Sequence, residues 1–386
     1  MSEVSRPLPV MVIGDSVAAR VALGDLCRLG YATQWVCAQN AEPASCQEIY
    51  PDQRLVALQG QVGSFQAQLD GPKGAQCVQT AAVIIATGNE RHIALPADVG
   101  PGEHRILTVS QLRERIEAPR TAGQVMEHVH QRLLLVLDWA KITSRETAYE
   151  LLETAQRARE RWRCEVYVFY RDLIVDAPGI EALTRDLREA GIVFCRYCAG
   201  PDCPAPALGA DMDGVSFAFD EGQVSGDLLA FPDDIAPGSD TSELARALNI
   251  RVGEDGYLQD VNIRHYRPGI SSRRGVFLAG RCHADQTDTA AHDDALQAVA
   301  NVDALLGSGT IVRNPVIARV DMEKCVRCLT CERSCPHAAI RVEVADQDVL
   351  AAHVLELACE GCGTCISNCP VRAISFVDQP IPAWMA

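Results

Sequence analysis

Short apolar runs alternate with amphipathic stretches along most of the chain. Residues 8–13 predict a strand, 14–19 a turn, the run to Leu29 a helix closed by Gly30, and 33–37 a second strand. Ala82-Val-Ile-Ile-Ala-Thr-Gly88 reads as a buried strand. Beyond it, 132–137, 165–170 and 192–195 predict strands, with a long charged helix over 144–161 and a second helix over 179–190. A strand over 227–231 ends in Pro232-Asp-Asp, and Pro237-Gly-Ser-Asp-Thr241 reads as a turn opening a helix that runs through Leu248. The stretch Gly275-Val-Phe-Leu-Ala-Gly280 is a strand and turn, followed by a helical run from about 289 to 306.

The opening strand, turn, helix and strand have the order of a dinucleotide-binding βαβ unit. Its phosphate turn is altered. Of the three glycines in G-x-G-x-x-G only Gly14 is present, Ser16 and Ala19 stand at the other two places, and Cys37 occupies the site of the ribose-binding acid. Ser and Ala are small enough for a pyrophosphate to approach the helix N-terminus, whereas Asp15 adds a negative charge there. Dinucleotide binding and a fold kept as scaffold both remain open from these residues. The corresponding turn before the 144–161 helix, Asp138-Trp-Ala-Lys-Ile-Thr-Ser144, has no glycine. Crowding by Trp139 and Lys141 is expected to exclude a nicotinamide pyrophosphate, which disfavours direct NAD(P)H binding.

With 386 residues the chain has room for two or three domains. Its formal net charge of −16 makes nucleic acid a poor partner. Residues 10–13 are too short an apolar run for a signal peptide or membrane insertion, so the cytoplasm is the expected compartment. Seventeen cysteines are compatible with a reducing environment, where thiols stay free or bind metal.

Eight of those cysteines stand in two runs of identical spacing. Cys325-Val-Arg-Cys328-Leu-Thr-Cys331-Glu-Arg-Ser-Cys335-Pro and Cys359-Glu-Gly-Cys362-Gly-Thr-Cys365-Ile-Ser-Asn-Cys369-Pro each follow the C-x2-C-x2-C-x3-C-P pattern of a two-[4Fe-4S] ferredoxin. Three closely spaced thiolates wrap one cubane and the fourth reaches the other. One cluster is thus assigned Cys325, Cys328, Cys331 and Cys369, and the second Cys359, Cys362, Cys365 and Cys335. Zinc ribbons would not need a third cysteine in each run. Cys195, Cys198 and Cys203 lack a fourth nearby thiol and read as reduced structural or surface groups. Cys282-His283 follows the Gly280 turn, where a lone histidine is more often structural than catalytic.

The Ala-Thr-Gly strand and the Phe-Leu-Ala-Gly turn resemble the later signatures of flavoprotein disulfide reductases. Together with Glu165–Asp172, Asp240–Ala245, Glu254–Leu258, His283 and the cysteine runs, the chain resembles the HdrA family of heterodisulfide reductase components and its bacterial members. The resemblance implies an α/β protein: a Rossmann-like FAD-binding fold of the disulfide-reductase type (1–124 and 241–310) with an inserted α/β domain (125–240), then a small α+β ferredoxin domain (316–380). It implies FAD held around Gly14, Ser16, Ala19, Thr87, Gly88, Gly280 and His283, two [4Fe-4S] clusters, and other redox subunits as partners, of the heterodisulfide reductase B and C, hydrogenase or dehydrogenase type.

Overall fold

A computed structural model gives the fold and describes residues 8–38, 48–72, 74–92, 103–118, 132–139, 143–173, 175, 178–198, 203, 205–211, 213–261, 268–345 and 349–377. Its contacts divide the chain into two compact units. One comprises Met1–Asn89, Pro237–Ala284 and Asp288–Ala386, and the other Glu90–Ala236 with Asp285–Thr287.

In the first unit five parallel strands lie in the order Val276–Leu278, Ala82–Ile85, Val10–Ile13, Thr33–Cys37, Glu48–Pro51. The central strands are apolar at every position because the sheet is covered on both faces. Helices Val17–Arg28 and Asp288–Leu306 cover one face through alanines and Leu23 and Leu26. An antiparallel meander, Arg54–Gln59, Phe65–Asp70 and Gln76–Thr80, covers the other. Its alternation of Phe65, Ala67 and Leu69 inward with glutamines outward shows that it has one wet face.

The second unit repeats this design. Its parallel strands run Val193–Arg196, Glu165–Tyr170, Arg132–Val136, Leu228–Phe231, Ile106–Thr108. Helices Val109–Glu117, Arg145–Trp162 and Ile180–Glu189 cover one face, and a meander over Ala207–Ala210, Val215–Phe219 and Gly222–Gly226 brings an aromatic cluster to the other. The insert starts at Glu90, earlier than residue 125, because strand Ile106–Thr108 pairs with Leu228–Phe231 and so joins its sheet.

The C-terminal domain, within the first unit, is built from two antiparallel ribbons and two short helices. The ribbons pair Ala318–Val320 with Ile374–Phe376 and Ile340–Ala345 with Val349–Val354, and the helices are Thr330–Ser334 and Thr364–Ser367. Ile340 and Ile374 fill its small core, as their apolar character predicts. The whole is thus the α/β fold expected from the sequence, with its insert and terminal α+β ferredoxin domain. Among the described residues no helix is long and apolar enough to cross a membrane.

Candidate functional site: two dinucleotide turns and two thiol cages

In the first unit the Val10–Ile13 strand ends in Gly14, whose φ of +116° and close approach to the Ala86 carbonyl leave no room for a Cβ. Ser16 caps the following helix: its hydroxyl accepts from Ala19 N (3.4 Å) and donates to Ala86 O (2.6 Å). The amides of Val17 and Ala18 precede the first intrahelical bond, Arg20 N to Ser16 O, and so have no partner within the helix, the condition for anion binding at a helix N-terminus. Ala19 is fully buried and serves helix–sheet packing, the role of the third glycine. Thr87 and Gly88 lie half-buried beside the turn, and a Cβ on Gly88 would meet nothing within 4 Å. The donors and open space fit a dinucleotide pyrophosphate. Two residues depart from the usual site: Asp15 is exposed in the turn, and Cys37 is buried where a ribose acid would reach out.

Gly280 is needed for packing, since a Cβ there would stand 2.7 Å from Ala18 Cβ. Its amide donates to Asp294 (2.6 Å), which also accepts from His283 Nε2 at 2.6 Å, while His283 Nδ1 lies 3.3 Å from Asp260. The imidazole is 4% exposed. Burial disfavours its charge, but the bonds and charges of Asp260 and Asp294 outweigh this and raise its pKa to about 9. His283 therefore locks the Gly280 turn as a buried imidazolium. Its Cys282 neighbour is buried, and its thiol donates to Ile85 O (3.3 Å).

The matching turn of the second unit is closed. Asp138 takes a left-handed φ of +62° and is 4% exposed. Its carboxylate accepts from Thr143 N (2.8 Å), Arg171 N (3.2 Å) and Asp172 N (3.4 Å). Asp285 accepts from Arg145 N and from Glu146 N (3.3 Å), and Ser144 Oγ from Thr147 N (3.2 Å). The first three amides of this helix are thus bonded to side chains of the protein. Glu146 and Asp233 are buried beside them and share Arg91, at 2.6 and 3.7 Å. Carboxylates already occupy the place of a phosphate, so a second anion would be repelled. Trp139, expected to crowd the site, instead packs on Phe217 and Phe231 with centroids 6.1 and 5.9 Å away. The carboxylates close the turn in its stead. Lys141 lies outside the described residues.

The loop thiols also differ from expectation. Cys198 and Cys203, read from sequence as reduced, are joined as a disulfide with Cα atoms 5.9 Å apart, close enough for the bond to form, while Cys195 remains a free thiol.

In the C-terminal domain Cys325, Cys328, Cys331 and Cys369 line one cavity and Cys335, Cys359, Cys362 and Cys365 line another. The fourth cysteine of each run has crossed to the opposite cage. Burial pushes the Cys365 thiol up to about 11, and the neighbouring Cys335, Cys359 and Cys362 add to the shift. Thiols that oppose one another's ionisation need cationic iron to persist together as thiolates. Amides of Ala339 and Ala373 donate to Cys335 and Cys369 sulfur at 3.3 and 3.2 Å.

Two Rossmann-type sheets, one with an open turn and one sealed, are thus followed by paired thiol cages. Residues 324–373 match the 4Fe-4S dicluster domain family. The chain is similar to HdrA-type proteins of heterodisulfide reductases. It is 24% identical over 294 residues to a heterodisulfide reductase HdrA-like protein of Archaeoglobus profundus, covering 73% of this chain and 40% of that one. It is 26% identical over 204 residues to a CoB–CoM heterodisulfide reductase iron–sulfur component of the same HdrA type from Methanopyrus kandleri, covering 51% and 30%. The chain thus spans less than half the length of these relatives. Among solved structures, T. acidophilum thioredoxin reductase aligns over 78% of this chain and 99% of its own, at 12% identity and a TM-score of 0.49.

Proposed function

We propose that the chain is an electron-transfer subunit of a multi-subunit cytoplasmic oxidoreductase of heterodisulfide-reductase type, with FAD at the first turn and two [4Fe-4S] clusters in the thiol cages. The observation that carries this is the crossed gathering of the eight cysteines in a domain anchored to the first unit's core. Arg274 donates to Val312 O (2.8 Å) and Leu357 O (3.3 Å), Gln61 accepts from Leu357 N (3.1 Å), and His337 Nδ1 donates to Ser272 O (2.6 Å), two residues past Cys335.

The amides of Val17 and Ala18 would hold the FAD pyrophosphate, with Gly14, Ser16 and Ala19 shaping the turn and Thr87 and Gly88 giving the chain room to pass. Gly280 is fixed by Asp294, which also holds His283, so that His283 would position this turn beside the flavin site. When bound, a flavin supplies the exchange between a two-electron step and single electrons. Cys325, Cys328, Cys331 and Cys369 would hold one cluster and Cys335, Cys359, Cys362 and Cys365 the other. The sealed second turn supports electron entry from redox partner subunits rather than from NAD(P)H.

Anaerobic purification with iron, sulfide and acid-released flavin analysis tests this reading. About eight irons follow from two cubanes, together with about one FAD. Eight irons without flavin, even after reconstitution with excess FAD, would reduce the protein to an iron–sulfur relay and docking module. Four or fewer would overturn the cluster assignment.

A further inference from the structure

We propose that the face formed by Val326, Arg327, Val371 and Arg372 is the docking surface for a one-electron carrier whose own redox centre has an acidic rim. The proposal deepens the relay reading and rests on it. Its basis is the internal repeat. Superposing Cys325 on Cys359 sets Val326 against Glu360 and Arg327 against Gly361; superposing Cys335 on Cys369 sets His337 against Val371 and Ala338 against Arg372. The backbone follows the repeat. Arg327 and Gly361 have φ of 60° and 66°, Leu329 and Gly363 63° and 75°, and Ala338 and Arg372 50° and 51°.

Around the Cys359 cage these positions are consumed by the protein itself. The Glu360 carbonyl accepts from Asn314 (3.3 Å), and its carboxylate lies 3.9 Å from Arg274. Gly361 lies so close to the Val316 carbonyl that a Cβ would overlap it, and His337 bonds Ser272. Around the Cys325 cage the equivalent positions are bare: Val326 is 59% and Val371 37% exposed, and both arginines are exposed, with no ion-pair partner among the described residues. Nearby Lys324 is paired with Asp321 at 2.6 Å, which leaves Glu323 as the exposed carboxylate of that loop.

One half of a pseudo-symmetric domain is thus docked, and the other presents two valines flanked by two arginines. Arg327 stands where the backbone favours glycine, as its repeat partner is. On a chain of net charge −16, a local positive spot over a cage selects an acidic partner and steers its approach. The apolar pair is small, as befits a brief redox encounter. In that encounter one electron leaves a reduced cluster in the Cys325 cage, whose charge rises by one, and reduces the carrier's centre by one; no proton moves.

The cluster-loaded 386-residue chain is reduced chemically and mixed by stopped flow with an acidic plant-type [2Fe-2S] ferredoxin, whose spectrum is distinct. Binding of the redox-inert gallium-substituted ferredoxin is measured in parallel. R327E/R372E, or R327Q/R372Q should the reversal fail to load clusters, is expected to slow exchange at least tenfold at low ionic strength, weaken binding equally and flatten the salt dependence. V312R, which adds a cation on the docked side, where Arg274 bonds the Val312 carbonyl, should change neither. Unchanged exchange and binding in the arginine variants would overturn the docking face. So would a loss of self-association in those variants, which would assign the face to a second copy of this chain. Failure of the wild-type protein to pass electrons from reduced clusters to either an acidic or a basic acceptor would instead overturn the relay reading.

Discussion

The two units are the same construction with opposite treatment of one turn. Each has a five-stranded parallel sheet backed by helices and a three-stranded meander, and in each a helix starts immediately after the central strand. At Gly14 the first-turn amides of Val17 and Ala18 are left for an external acceptor. In the second unit Asp285 takes the first-turn amides of Arg145 and Glu146, and Asp138 ties down the turn ahead of them through Thr143 N. A Rossmann-type sheet is therefore no evidence of nucleotide binding; the hydrogen-bond accounting of the first helical turn decides it.

The largest expected effect comes from removing the internal carboxylate. D138A strips the acceptor from three amides and should destabilise the second unit by about 3–5 kcal/mol in denaturant unfolding. A loss below about 1 kcal/mol, the scale of a single hydrogen bond, would mean that Asp138 fills the turn without supporting it. G14A, which forces a Cβ toward Ala86 O at positive φ, should cost roughly 2–4 kcal/mol. If it does not, the close turn described for the first unit is wrong.

His283 gives the first unit a pH signature. Its folded pKa near 9 lies above the ordinary value of 6.5, so its stabilisation is complete below about pH 6.5 and is lost as pH rises through 9. Unfolding free energy should fall over that window by about 3 kcal/mol, and H283Q should lose the slope; an identical slope in H283Q would remove the imidazolium from the account. The smallest change is D285A, which should cost about 1 kcal/mol. It should also create sulfate or pyrophosphate binding at the Arg145–Trp162 helix, seen as a ligand-dependent rise in Tm. No such gain would mean that Asp285 is not what keeps anions out.

Much of this contrast was legible in the sequence. The strand and helix order follows apolar runs and the small residues Gly14, Ser16 and Gly30, and the cysteine spacing carried the crossed cages. What was not legible depends on long-range contacts. Asp285 reaches a helix start 140 residues earlier in the chain. His283 is held by Asp260 and Asp294, partners that the Cys-His pair alone does not announce. Trp139 was read as an obstacle, yet it belongs to the aromatic side of the second sheet, because a turn motif does not say which way a side chain leaves it. The earlier start of the insert turned on the pairing of Ile106–Thr108, which three residues cannot announce.

The most direct test of the contrast is calorimetric titration of the cluster-loaded protein with FAD and, separately, with NADH, in wild type and in G88L. A leucine at Gly88 fills open space without backbone strain and so blocks the first turn while preserving the fold. One FAD bound by the wild type, none by G88L and no NADH bound by either is the expected result. NADH binding to the wild type, or FAD binding indifferent to G88L, would contradict the account.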